Sequence, residues 1–339
     1  MKKILLPVST IFNFQTYQDI KNIIKEQKID VVHVHNTLNL ISPAVYYAAR
    51  VCHKPVIQTI HNFRLLCPGA TFYRNEHICE DCVTKGLVCA VKHSCYRDNK
   101  IQTLACVLST WIHRTMGIYG KLNYICLTEF NKEKLLHLKQ IQASKVFLKP
   151  NFVANIEKKL NSGQRKNQMI YVGRLEEIKG VDILLKAWEI LGQNAPQLIM
   201  CGIGPMEEWC REYVLKNSLE NVTIVGYVEN EKVRRMIAES KALILPTQVY
   251  EGFPMTILEA MSVGTPIIGS RLGNVGTLVQ ESVNGICFEP KSAEDLACAV
   301  QKLNVSYDSV RACYEELYSP NANYNRLKEI YESVTVCTE

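Results

Sequence analysis

The chain has 339 residues, 47% hydrophobic and 21% charged, a globular composition with length enough for two domains. No run approaches the ~18 consecutive apolar residues of a membrane-spanning helix, and the start, Met1-Lys2-Lys3-Ile4-Leu5-Leu6-Pro7, is broken by Thr10 and Asn13 too early for a signal peptide; a cytoplasmic protein is expected. The net charge of +6 comes without an arginine-rich run interleaved with aromatics, so nucleic acid is not expected as a partner, and the excess reads as a solvated surface or a modest basic face toward anionic lipid.

Tyr17, Ile20, Ile23 and Ile24 recur at helical spacing over residues 16–27. The apolar run Ile29-Asp30-Val31-Val32-His33-Val34-His35 predicts a strand buried on both faces. A helix over Leu40–Arg50 and a strand over Lys54–Ile60 follow, and strand, helix, strand in this order predicts a parallel sheet. His35 and His61 fall at the C-terminal ends of these strands, where open α/β sheets bind ligands. Either imidazole can meet a sugar hydroxyl or a phosphate near neutral pH. Period-2 alternation puts His33 on the same face as His35.

Residues 62–99 form a long loop holding Cys67, Cys79, Cys82, Cys89 and Cys95, five of the chain's fourteen cysteines. Cys79-Glu80-Asp81-Cys82 is a chelating pair, and with Cys89 and Cys95 it would supply the four thiolates of a structural zinc site. Packed free thiols, with Phe72, Tyr73 and Leu87 holding the loop, are the alternative, and disulfides are a third. Cysteines elsewhere, such as Cys106, Cys126, Cys201 and Cys298, sit among apolar residues and read as small hydrophobes.

A helix is predicted over 100–119, its apolar face made by Leu104, Val107, Leu108, Trp111, Ile112 and Met116. A strand at Asn123–Leu127, a helix over Glu129–Lys139 and a strand at Lys145–Leu148 complete the first half. The polar stretch from Pro150 through Asn167 reads as an interdomain linker. Beyond it, strands at Met169–Val172, Leu198–Cys201, Val222–Val225 and Ala242–Leu245 alternate with helices. Glycines stand at the strand exits: Gly173, Gly202, Gly204 and Gly226. This is a second Rossmann-like half. Ser292–Leu303 reads as a helix and Asn321–Val334 as a final helix.

The most informative stretch runs from Tyr250 to Gly269. Glu251 precedes a helix; Pro254 suits its first position; Ile257, Leu258 and Met261 give it an apolar face; Gly264 can stop it. The first amides of such a helix have no intrahelical partner, and with the helix dipole they favour a phosphate. Glu251 and Glu259 can grip sugar hydroxyls on either side of it. Arg174 and Lys179 follow the first strand of this half; by themselves they read as a solvated surface.

The segment Glu251-Gly252-Phe253-Pro254 through Glu259-Ala260-Met261 to Gly264-Thr265-Pro266 resembles the Glu-x7-Glu signature of retaining family 4 glycosyltransferases, also described as glycosyl transferases group 1. Gly173-Arg174 through Lys179-Gly180 resembles that family's G-R-x4-K-G motif, and Thr59-Ile60-His61-Asn62 its strand-end histidine. The resemblance implies an α/β fold with two Rossmann-like domains facing across a cleft (GT-B) and a C-terminal helix crossing back to the first domain. It implies residues 1–152 as an acceptor-side domain, 153–320 as the nucleotide-sugar-binding domain, with Asn284–Phe288 as its last strand, and 321–339 as the return helix. It also implies transfer, with retention, of a sugar from a UDP- or GDP-sugar to a saccharide or lipid-linked acceptor in cell-surface polysaccharide synthesis. His61, Arg174, Lys179 and Glu251 would be catalytic, Arg174 and Lys179 as fixed cations that stabilise a departing diphosphate. Gly173, Gly202, Gly204, Val228, Gly252, Phe253, Pro254, Met255, Thr256 and Glu259 would hold the donor. No catalytic metal is implied. Peripheral contact with the inner face of the plasma membrane would suit a lipid-linked acceptor.

One departure stands out. No glycine precedes Gly69, where the family opens with a strand and a glycine-rich loop. An opening βαβ portion is therefore expected to be missing, and a nucleotide-sugar-binding protein without activity is the alternative reading.

Overall fold

The computed structural model describes residues 6–38, 41–154 and 165–336. The chain divides into two compact units, residues 1–150 with 324–339, and residues 151–323. The first contains α1 (Leu6–Ile11), α2 (Phe14–Glu26), β1 (Val32–Val34), α3 (Ala44–Val51), β2 (Val56–Ile60), β3 (Tyr73–Arg74), β4 (His77–Ile78), α4 (Asp81–Thr84), α5 (Val88–Lys92), α6 (Lys100–Thr115), β5 (Asn123–Cys126), α7 (Glu129–Leu135) and β6 (Val146–Leu148). The second contains β7 (Gln168–Val172), α8 (Val181–Leu191), β8 (Gln197–Cys201), α9 (Glu207–Lys216), β9 (Val222–Gly226), α10 (Asn230–Glu239), β10 (Ala242–Leu245), α11 (Met255–Ser262), β11 (Ile267–Ser270), α12 (Gly273–Leu278), β12 (Gly285–Phe288), α13 (Ala293–Lys302) and α14 (Tyr307–Leu317). The last helix, α15 (Pro320–Val336), ends in the first unit.

In the first unit four parallel strands lie in the order β1-β2-β5-β6. β2 is buried along its whole length, Gln58 and Thr59 included, whereas β1, expected to be buried on both faces, is an edge strand with only Val34 buried. On one face Ile57 and Ile125 pack against Ile330 and Val334 of α15. His33 fastens the same helix. Its Nδ1 lies 2.7 Å from the Tyr331 hydroxyl and its Nε2 2.7 Å from Thr59 Oγ1. Both ring nitrogens are thus engaged in holding the fold, and His33 does stack on His35 on one strand face.

A second reading of this unit is corrected. The predicted apolar face of α6 is not its buried face, since Leu104, Leu108 and Trp111 are exposed. Among the described residues no three His, Cys, Asp or Glu side chains converge on a metal position, so the structure adds no support to the zinc set of Cys79, Cys82, Cys89 and Cys95. Cys82 points into an apolar cluster with Leu87, Ala90 and Val107, where burial and the neighbouring thiols push it up to about 12. Apolar packing does the holding: Phe72 is fully buried against Phe63. Ion pairs from Lys134 to Glu80 (2.6 Å) and from Arg74 to Asp81 (3.2 Å) add to it.

The second unit has six parallel strands in the order β12-β11-β10-β7-β8-β9. Counted from β7, this is the doubly wound order in which the chain reverses direction between its first and fourth strands. The switch point therefore lies between β7 and β10. Apolar clusters fill both faces of the sheet, one around Trp188 and Tyr171, the other around Ile257, Leu258 and Tyr314. Arg165, placed by sequence in a polar linker, is buried in this unit. It donates to the carbonyls of Ala238, Ser240 and Val263 and to Thr265 Oγ1, at 2.6–2.9 Å, and lies over the Tyr307 ring.

Two outcomes follow from this packing. Arg165→Ala leaves four buried acceptors without their donor and is expected to cost ~3 kcal/mol in urea unfolding; an unchanged midpoint would remove Arg165 from this role. Burial, with His35, Lys149 and His61 nearby, lowers His33 from 6.5 to about 4. A histidine depressed in the folded state contributes stability that is intact above 6.5 and is lost as pH falls toward 4. The thermal midpoint is expected to drop across that window, and to drop less in His33→Gln; equal slopes for the two proteins would contradict it.

Candidate active site

The carboxyl ends of β7 and β10 meet at the switch point, and the charged residues of the second unit gather there. Gly173 and Arg174 leave β7, and Pro246 to Glu251 leave β10. Gly180 stands so close to the Pro246 carbonyl that a side chain would overlap it, and its φ of +72° is left-handed. Only glycine satisfies both demands, and this contact brings Lys179 against the loop after β10. Lys179 Nζ donates to Glu251 Oε1 at 2.7 Å. Thr247 Oγ1 donates to the same oxygen at 2.9 Å. Asn274 of α12, fully buried, donates to the carbonyls of Glu251 and Gly252, each at 2.6 Å. Glu251 is therefore fixed at its side chain and at its backbone.

Arg174 is different. Its side chain is 72% exposed and pairs with Glu176 on its own turn, so it can swing toward an anion at small cost. Gly173, Gly202 and Gly204 occupy the exits of β7 and β8, which run backbone against backbone. Gly173 N donates to the Cys201 carbonyl at 3.0 Å and Leu175 N to that of Ile203 at 3.1 Å. A Cβ on Gly202 would collide with the Gly173 carbonyl and one on Gly204 with Leu175. Close packing alone thus explains the residue type at 202 and 204.

Helix α11 starts one residue later than expected. Pro254 has extended backbone (φ −72°, ψ 108°) and caps the helix, and Met255 is the first helical residue. Proline at the cap still fits, because an extended residue there needs no N–H. Phe253 packs against the apolar cluster below, and Met255 and Thr256 turn their first-turn amides toward the loop's open side. Glu259, one turn into the helix, is nearly buried. Burial raises its carboxyl, and Arg234, 3.5 Å away, pulls it back. Arg234 Nε is buried with no partner. Val228 is half-buried at the exit of β9, behind exposed Tyr227. The start of α11 is thus surrounded by one fixed cation, one exposed cation and two carboxylates placed apart.

In the first unit His61 is joined to His35, with Nε2 2.8 Å from His35 Nδ1 and the rings stacked at 5.2 Å. Burial lowers both imidazoles; Lys149 depresses them further, and His35 does the same to His61. They line a small cavity with Gln58, Asn62, Arg64 and Tyr46, and no carboxylate faces it. Thr247, Asn274 and Arg234 escaped the sequence reading. Thr247 is only four residues before Glu251 but carries no signal of its own, whereas Asn274 and Arg234 stand 22–25 residues from their partners and are brought to the loop by the fold.

Known families and structures resemble this chain as follows. The family described as glycosyl transferases group 1 matches residues 152–318, and that described as glycosyl transferase 4-like matches residues 2–103. An uncharacterized glycosyltransferase, MJ1607, of Methanocaldococcus jannaschii is 26% identical over 151 residues, which are 44% of this chain and 38% of that protein. The amylovoran biosynthesis glycosyltransferase AmsK of Erwinia amylovora is 27% identical over 49% of this chain and 44% of its own length. The chain thus spans less than half of these curated relatives. Among solved structures, the lipopolysaccharide outer core galactosyltransferase WaaB superposes with a TM-score of 0.66 at 18% identity, over 94% of this chain and 79% of that one. Anabaena HepE in complex with UDP superposes at 0.68 and 15% identity, over 94% and 82%. These neighbours establish the GT-B fold, and with the two family matches reaching into both units the chain belongs to the group 1 glycosyl transferases.

Proposed function

We propose that the protein moves a sugar from a UDP- or GDP-sugar to a hydroxyl of a saccharide or lipid-linked acceptor, with retention, in cell-surface polysaccharide synthesis. The observation that carries this is the Lys179–Glu251 contact at the mouth of α11, at the sheet's switch point. A diphosphate entering there meets the first amides of α11 and the Lys179 ammonium, and Arg174 swings in to grip further phosphate oxygens. Glu251, released from Lys179 by the incoming phosphate, turns to the hydroxyls of the donor sugar. Gly252, Phe253, Pro254, Met255 and Thr256 form the phosphate loop, with Gly173, Gly202 and Gly204 forming its opposite wall. Glu259 holds the ribose, and Val228 meets the base.

In the reaction the bond from the anomeric carbon to the diphosphate breaks, and the acceptor oxygen bonds to that carbon. Charge develops on the departing diphosphate, and Arg174 and Lys179 stabilise it where it forms. His61, held by His35, serves the transferred sugar. UDP accompanies HepE and TarM, and UDP-glucose HepE, in solved structures; these bound groups support the same donor class here. Residues 1–152 are assigned to the acceptor, 153–320 to the donor and 321–339 to the return helix. A cytoplasmic location suits a nucleotide-sugar donor, and no helix among the described residues is long and apolar enough to cross a membrane.

Glu251→Gln, Arg174→Ala and Lys179→Ala are each expected to lower transfer by about a hundredfold, measured as nucleotide release from a panel of UDP- and GDP-sugars, with thermal midpoints near the parent's. Full activity in Arg174→Ala and Glu251→Gln would refute the assignment.

A further inference from the structure

Helix α6 is built inside out. Its buried face consists of Thr103, Ala105, Cys106, Ser109, Thr110 and His113, together with Val107. Most of these are small or polar, and the polar ones are satisfied. Ser109 Oγ donates to the Thr10 carbonyl at 3.1 Å, Thr110 Oγ1 to that of Cys106 at 3.0 Å, and His113 Nε2 lies 2.9 Å from the Ile11 carbonyl. Rotating the helix to bury its apolar residues would break the bonds to Thr10 and Ile11, which fix its orientation.

The outer face is apolar. Ile101, Leu104, Leu108 and Trp111 are 71, 44, 39 and 56% exposed. At about 100° per residue they fall within one arc of roughly 80°, so they form a single stripe. Scattered exposed apolar residues are ordinary, but a continuous stripe opposite a polar buried face marks a surface that something covers.

The surrounding charge selects what covers it. Between residues 86 and 128 Asp98 is the one carboxylate of the sequence. Lys92, Arg97 and Lys100, at or before the start of α6, and Lys121, just after its end, are exposed. Two copies of this chain meeting on the stripe would bring these cations together. An anionic bilayer complements them, and an apolar stripe with an aromatic residue and flanking basic side chains is what its interface takes up.

We propose that α6 is a membrane-docking helix, which lays Ile101, Leu104, Leu108 and Trp111 into an anionic lipid leaflet. The docking rests on this surface alone. Its bearing on catalysis rests on the function proposed above: Ser109 and Thr110, on the other face of α6, line the cavity beside His35 and His61, so a docked helix would present that cavity close to a lipid-linked acceptor.

The test is co-sedimentation of the full chain with phosphatidylcholine vesicles, with and without about 30% phosphatidylglycerol. Binding is expected with the anionic vesicles, and brominated lipid is expected to quench fluorescence in the parent but not in Trp111→Phe. Leu104→Glu combined with Leu108→Glu is expected to weaken binding at least about tenfold, with unchanged circular dichroism and unchanged transfer to a water-soluble acceptor. Three results would overturn the proposal: no binding to anionic vesicles, equal binding by the double variant, or a parent dimer that the double variant converts to monomer. Vesicle binding is read without any sugar donor, so a failed transfer reaction leaves the docking result standing.

Discussion

Glu251 brings a negative charge into a half-buried loop, and Lys179 at 2.7 Å makes that position tenable. A carboxylate beside a helix N-terminus would otherwise fill the site proposed for phosphate. Paired with Lys179 it is neutralised, and in the proposed function the pair opens to a stronger anion. The pair in turn depends on Gly180 meeting the Pro246 carbonyl and on Asn274 holding two successive carbonyls. The switch point of the sheet is thus more than a crevice. It is where a glycine contact, a buried amide and an ion pair set the position of one carboxylate.

Most of the second unit was legible in the sequence because its signals are local. Three short apolar strands end at a glycine, and helices begin within a few residues of the strand exits, so spacing located the strands from β7 to β10. Arg174, Lys179 and Glu251 were singled out because their segments resemble family motifs; position after a strand end alone would leave the two cations as a solvated surface. What was not legible is what depends on strand order. The reversal between β7 and β10 brings residues 179 and 251 together across 72 positions, and no local pattern carries that information. Arg165 was misread for the same reason, since its four acceptors come from residues 238–265. The helices Gly273–Leu278 and Tyr307–Leu317 were missed, the first being short and glycine-containing.

The first unit misled in an instructive way. Helical periodicity identified a helix near residues 100–119, and the inference that its apolar face is buried then failed. Periodicity reports that a helix has two faces, and it does not say which one the fold covers. In α6 the covered face is the polar one, because Thr10 and Ile11 of α1 supply backbone acceptors to it. The cysteine-rich loop shows a related limit. Ligand spacing suggested a metal site, and the short helices at Asp81–Thr84 and Val88–Lys92 set Cys82 among Leu87, Ala90 and Val107. Neither helix is long enough to announce itself in sequence.

The central claim is that the loop before α11 is a diphosphate site in which Lys179 exchanges Glu251 for phosphate. Calorimetric titration of UDP into the parent protein and into Lys179→Met tests it most directly. Removing one charge-assisted contact to phosphate is expected to weaken UDP binding by about ten- to a hundredfold. Equal affinity in the two proteins would contradict the account.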